Sequence, residues 1–243
     1  MNIAWVGLAD IKYWEYIAKY CVPSWPALPG DKYIITDDPN FKLDDNFKIV
    51  NFDKIKNNES KFIARNEGSR KVHNFWRKMQ SQVWAAKNLT QYDFVVLFDT
   101  DIECIDFNNE KFEEVLKKVV DENFLWATGQ SQRRGHDSGF IVINMKHENR
   151  VQAFSEYEDI WDSGKITTLT RAYDGDAMES MLDVYPSLKI RNTDYGKGLH
   201  IYDLGVVHWG SKEPKADRAA AKSGPELVKQ RMAEITPKVF KNS

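Results

Sequence analysis

Cysteine is scarce in this chain of 243 residues: there are two, Cys21 and Cys104, far apart and at no spacing that suits a metal. A disulfide-stapled fold and a cysteine-ligated zinc site are thereby excluded, and both thiols read as small buried hydrophobes in a reducing compartment. No apolar run approaches the length of a membrane span, so no integral membrane segment is expected. The strand-like stretch NIAWVGLA follows Met1 directly, so neither a signal peptide nor an anchor or stem is expected, and a cytoplasmic protein is the natural expectation. Positive charge is not in excess either. Lysine and arginine number 34 against 36 aspartates and glutamates, a formal charge of −2, which argues against nucleic acid or an anionic membrane as partner. Neither glycine-rich phosphate loop, G-x-G-x-x-G nor Walker type, occurs. If phosphate is bound, something other than a glycine cradle must neutralise it.

What the chain does contain is organised around FVVLFDTDIECI, Phe94 to Ile105. Five consecutive large apolar residues, Phe94 to Phe98, show no alternation, which marks a strand buried on both faces in a largely parallel sheet. The strand ends in two carboxylates, Asp99 and Asp101, with Glu103 two further on. Ligands of open α/β sheets sit beyond the carboxyl ends of the strands. Two carboxylates about 5 Å apart repel by roughly 3 kcal/mol at an effective dielectric near 20, a repulsion that a cation converts into a binding site. A bare D-x-D can equally be two acids facing solvent in a turn, so the rest of the chain has to decide.

The length suits one large α/β domain or two small ones, and the eight tryptophans are assigned mostly to the core. Ile3–Leu8 reads as a first strand; Trp14, Ile17, Ala18, Cys21 and Val22 then recur at helical spacing until Pro23 stops the helix. Strands follow at 32–36 and 47–52, a β-α-β opening. Residues 53–71 are polar and charged, a solvated loop or, on a sharper reading, a mobile lid. Trp76, Met79, Val83 and Ala86 mark a helix with Arg77 and Lys78 near its start. After the central strand come a helix capped by Asn108 or Asn109, a strand at 124–128, a loop at 129–136, a buried strand at 137–144 and a helix at 151–161 that Gly164 can end. Asp174 starts a further helix, and strands are expected at 188–191 and 204–208. Residues 1–214 form one domain on this reading, and 215–243 a solvated helical tail.

Three further features converge on the D-x-D. Asp137-Ser138-Gly139 precedes a buried strand, and Gly139 permits close backbone approach to a ligand. Asp174-Gly175-Asp176 opens a helix, where carboxylates also serve simply as caps. In VVHWGSK, 206–212, His208 ends an apolar strand and Lys212 follows a turn at Gly210. Asp10 suits a helix cap as well as a ligand contact. His73, His136, His147 and His200 read as ordinary surface or loop residues, and Arg133 and Arg134 as part of a solvated loop.

Together and in this order, these residues resemble the GT-A glycosyltransferases, in particular the retaining enzymes of family eight, over roughly residues 1–214. The resemblance implies a GT-A-like, Rossmann-type α/β/α sandwich with a mostly parallel central sheet. It implies a metal-dependent hexosyltransferase that takes its sugar from a nucleotide-sugar, usually a UDP-sugar, and passes it to a hydroxyl of a glycan, lipid or protein. Asp99, Asp101 and His208 would ligate the cation, for which two carboxylates and an imidazole suit Mn²⁺ well and Mg²⁺ acceptably. Lys212, presented by the Gly210 turn, would meet the diphosphate. Gly7, Leu8, Asp10 and Tyr13 would hold the base, Lys78 or Arg77 would reach the donor, and Asp137 and Gly139 would flank the sugar. Asp174 and Asp176 would bind sugar hydroxyls or face the anomeric carbon. The chain departs from the family in a shorter His208–Lys212 spacing, in Asp137 where Asn is usual, and in Gly175 where many members carry Gln between two acids. A binding protein without turnover and a metal-dependent nucleotidyltransferase are the alternatives. A haloacid-dehalogenase phosphatase does not fit, because Glu103 stands where that fold needs Thr or Val.

Overall fold

The computed structural model describes residues 1–57, 70–130, 137–169, 174–182, 184–191 and 201–208. Seven strands form one sheet: β1 (Ile3–Leu8), β2 (Asp31–Thr36), β3 (Phe47–Asn51), β4 (Phe94–Phe98), β6 (Trp126–Gln130), β7 (Asp137–Asn144) and β8 (Ser187–Arg191). Their order is β3-β2-β1-β4-β7-β6-β8. Neighbours pair in parallel except on either side of β7, which runs against β4 and β6. Two short strands, β5 (Ile102–Cys104) and β9 (Val206–His208), pair antiparallel in a second sheet.

The central strand is as expected. All five residues of β4 are buried between β1 and β7. Phe94, Val96 and Phe98 enter one core layer, and Val95 and Leu97 the other. A strand with two buried faces has no solvent side, which is why the sequence does not alternate. Each such side chain contributes about 2 kcal/mol of burial.

Helices cover both faces. One layer packs Phe112, Val115, Leu116 and Val119, from the helix Asn109–Asp121, against Trp5 and Phe98. The Asn108 side chain accepts from the Lys111 N–H and caps that helix. The other layer joins Trp76, Met79, Val83 and Ala86, from the helix Arg70–Asn88, to Phe154, Tyr157 and Trp161 of the helix Arg150–Asp162. Gly164, at φ 81°, follows that last helix as anticipated.

Three expectations need correction. Pro23 does not stop the first helix. The chain winds from Ile11–Tyr13 through a π-helical turn, Trp14–Ala18, and a short α stretch, Lys19–Cys21, into a 3₁₀ segment, Val22–Ala27, that contains Pro23 and Pro26. Proline near the start of a helical stretch has no bond to lose there. Arg77 and Lys78 are not near the start of their helix, which begins at Arg70. The last strand begins at Val206, because Ile201–Leu204 forms a 3₁₀ turn. The tail 215–243, the loop 131–136 and most of the proposed lid lie outside the described residues.

Candidate active site

The D-x-D is a tight turn. The Ile102 N–H donates to the Asp99 carbonyl at 2.9 Å, so Asp99 and Asp101 occupy the first and third positions of a four-residue reversal. The turn is clamped from three sides. The Asp99 N–H donates to the Gly139 carbonyl at 2.9 Å, the Thr100 hydroxyl to the Leu8 carbonyl at 2.9 Å, and the Trp25 indole N–H to the Ile102 carbonyl at 2.9 Å.

His208 arrives through the second sheet. β5 follows the turn directly, and its register with β9 sets Ile102 opposite His208. The His208 Nε2 lies 3.2 Å from an Asp101 oxygen and 3.8 Å from an Asp99 oxygen. One ligand atom from each of the three residues falls within 4.8 Å of the others. His208 and Asp101 are buried, and Asp99 is partly open to the cleft.

Gly205 sets this register. It sits at φ +73°, and its carbonyl accepts from the Ile105 N–H at 2.9 Å and the Asp106 N–H at 3.1 Å. A Cβ there would lie 1.7 Å from the Asp106 carbonyl oxygen. Only a residue without a side chain lets the two backbones approach so closely.

Lys78 stands on the other side of Asp99. Its ammonium is 2.7 and 2.9 Å from the two Asp99 oxygens and 2.7 Å from Asp174. Burial works against its charge, but Asp174 and Asp99 outweigh that and raise its pKa. Burial likewise pushes the Asp174 carboxyl up. Lys78, with hydrogen bonds from Ser138 and the Gly175 backbone, more than reverses this and holds Asp174 ionised. For Asp99, burial together with the Asp101 and Asp174 charges prevails over Lys78 and His208, and its pKa is raised. Tyr13 also lines the cleft, beside Asp101. Burial first, then the charges of Asp101 and Asp99 and a hydrogen bond to Asp101, keep its hydroxyl protonated.

These groups line a cleft of about 320 Å³ at the carboxyl ends of β1 and β4. Gly7, Leu8, Asp10, Tyr13, Lys78, Asp99, Asp101 and His208 all border it. Asp10 is also a cap, accepting from the Tyr13 N–H at 2.8 Å. Gly7 is small for a packing reason: a Cβ would lie 2.6 Å from the Trp25 ring and 2.7 Å from the Thr100 methyl. Arg77 is drawn away, to Asp37 at 2.8 Å and across the Phe52 ring at 5.0 Å. Asp174 and Asp176 are both buried at the first turn of the helix Asp174–Leu182, with Ser138 beside Asp174. Gly139 adjoins the D-x-D through its carbonyl. Asp137 opens β7, but its side chain is not among the described positions. Gly210 and Lys212 lie outside the described residues.

The sequence did not point to Gly205, Thr100 or Trp25, gave Ser138 no role of its own within its motif, and did not point to Asn74, Phe75, Ser81 and Gln82 of the cleft wall. The last four flank Lys78 at spacings of three to four residues, a helical face that a search for polar periodicity could have found.

Two carboxylates and one imidazole, gathered and largely buried, form a donor set suited to a divalent cation. Three carboxylates (Asp99, Asp101, Asp174) against the single ammonium of Lys78 leave an excess of negative charge for such an ion to balance.

No family model and no curated protein matches this chain. Among solved structures it is similar to an active-site mutant of LgtC, with a TM-score of 0.55 and 12% identity over 97% of this chain and 95% of that one. Lesser likenesses, both at a TM-score of 0.49, are to the glycosyltransferase GlyE of Streptococcus pneumoniae TIGR4 and to the bifunctional glycosyltransferase WbbM. Identities are 14% and 12%; each likeness covers 78% of this chain but only 45% and 38% of the respective partner. The chain thus spans less than half the length of those two proteins. The likeness to LgtC extends over nearly the whole of both chains and bears on the fold. In fold the chain is of the GT-A type, a mixed α/β sandwich on a mostly parallel seven-stranded sheet, as its sequence led one to expect.

Proposed function

We propose that this protein is a metal-dependent glycosyltransferase that moves a hexose from a nucleotide-sugar, a UDP-sugar in the first instance, to a hydroxyl acceptor. The observation that carries the proposal is the meeting of Asp99, Asp101 and His208, from elements about a hundred residues apart, in the lining of one cleft. Mn²⁺ or Mg²⁺ suits this donor set.

Breaking the bond between a sugar and a nucleoside diphosphate puts negative charge on the leaving phosphate and oxocarbenium character on the sugar. A bound cation supplies Lewis-acid stabilisation of the departing diphosphate. Asp99, Asp101 and His208 are the residues to hold it. Lys78 adds a positive charge beside them, and Lys212 is proposed to add another. Leu8, Asp10 and Tyr13 border the same cleft and are proposed to take the base. Asp174, kept ionised by Lys78 and Ser138, can accept hydrogen bonds from sugar hydroxyls and favour positive charge at the anomeric carbon. On this proposal its part is to stabilise charge and not to donate a proton. Asp176, Asp137 and Gly139 complete the sugar's surroundings on this proposal, and retention of configuration follows the family-eight pattern.

The test is thermal. Mn²⁺ with a UDP-sugar should raise the melting temperature, and Asp101→Ala should abolish the rise. No shift with any nucleotide-sugar in the presence of metal would sink the donor site.

A further inference from the structure

Lys78 sits where it can control the cation site. Its ammonium contacts both oxygens of Asp99, at 2.7 and 2.9 Å, and is anchored from behind by Asp174 at 2.7 Å. An aspartate that ligates a cation must turn at least one oxygen toward it. Both Asp99 oxygens are engaged by an ammonium that is itself largely buried and cannot simply swing into water. The ion pairs of Lys78 run to Asp99 and Asp174.

Resting on the function proposed above, we propose that Lys78 competes with the metal for Asp99, so that the free protein binds the cation weakly and the nucleoside diphosphate relieves the competition. Diphosphate oxygens in the cleft offer the ammonium a new acceptor. Lys78 then turns from Asp99 to phosphate, and Asp99 is released to the metal. Donor and metal therefore load together, which keeps the free site from trapping metal in an unproductive state. A residue that only positioned Asp99 would act in the opposite sense, since its loss would weaken metal binding.

The experiment measures Mn²⁺ affinity of the intact chain, without nucleotide, by the electron paramagnetic resonance signal of free Mn²⁺. Wild type is compared with Lys78→Met and with the double variant Lys78→Met/Asp174→Asn, which removes the carboxylate that Lys78 would leave unpaired. Adding UDP to each supplies the second arm. Competition predicts Mn²⁺ binding at least tenfold tighter in both variants than in wild type without UDP, and a smaller gain on adding UDP. If Lys78→Met misfolds, the double variant decides. Affinity unchanged or weaker in the folded variants overturns the competition while leaving the metal site in place. Absence of Mn²⁺ binding by wild type and variants alike, with and without UDP, overturns the metal site and the competition with it.

Discussion

Replacing Gly205 by alanine should pull His208 away from the two aspartates. The new Cβ would start 1.7 Å from the Asp106 carbonyl oxygen, and real Cβ atoms essentially never approach closer than 3.0 Å, so the backbones must part by at least 1.3 Å. The φ of +73° costs an L-residue a further 1–2 kcal/mol or so. Parting the backbones also weakens the bonds from Ile105 N–H and Asp106 N–H to the Gly205 carbonyl, each worth about 1 kcal/mol. The total is about 3–4 kcal/mol, which at roughly 2–4 °C per kcal/mol for a chain of this size lowers the melting temperature by about 10 °C. Three residues on, His208 follows the strand, and metal sites tolerate only about 0.2 Å of error in a ligand distance. Mn²⁺ affinity should therefore fall by about 10- to 100-fold or more. Gly30→Ala is the control. Gly30 also has positive φ, and its Cβ would lie 2.2 Å from the Ile3 carbonyl oxygen, at the far end of β1 from the cleft. That variant should melt lower yet bind Mn²⁺ as wild type does. Calorimetry for metal and circular dichroism for melting read both. A Gly205→Ala protein with wild-type Mn²⁺ affinity, melting within about 2 °C of wild type, would refute the idea that this glycine sets the position of His208.

Arg77→Gln should lower the melting temperature by a few degrees without changing metal affinity, because Arg77 serves Asp37 and Phe52 and not the cleft. A tenfold loss of Mn²⁺ affinity in that variant would return Arg77 to the site. Neither thiol should be alkylated by iodoacetamide at pH 8 until the protein unfolds, since both cysteines are buried and burial pushes the Cys104 thiol up to about 11. The unfolded chain releases that proton from about pH 9, and the folded one only near 11. Between those values the unfolded state binds fewer protons, and stability falls as pH rises, by about 2–3 kcal/mol. Comparing melting at pH 8 and 10.5 in wild type and Cys104→Ala isolates this loss; an equal loss in both would contradict it.

Periodicity was enough for the central sheet, because a strand buried on both faces must be apolar throughout and the helices over it must repeat at three and four. It also located the D-x-D, since a strand that ends abruptly in acids leaves them beyond its carboxyl end. The π-helical turn at Trp14–Ala18 gave no pattern of its own, because one extra residue in a turn leaves hydrophobic spacing almost unchanged. His208 was tied to the aspartates only through the family resemblance. Its true link is the β5–β9 pairing, a long-range contact of two three-residue strands too short to carry periodicity. Lys78 was placed at the donor by likeness, yet its partners Asp99 and Asp174 lie 21 and 96 positions away and only the fold reveals that they share it. Gly205 went unnoticed because it reads as part of a strand at 204–208, and nothing in the residues around it marks a positive φ.

The most direct test of the whole account is a panel of nucleotide-sugars incubated with Mn²⁺ and the intact chain, with release of nucleoside diphosphate as the readout. The account predicts Mn²⁺-dependent release from a UDP-sugar, stopped by chelation and lost in Asp101→Ala. No release from any donor with metal and a broad set of acceptors would contradict it, as would release undiminished in Asp101→Ala.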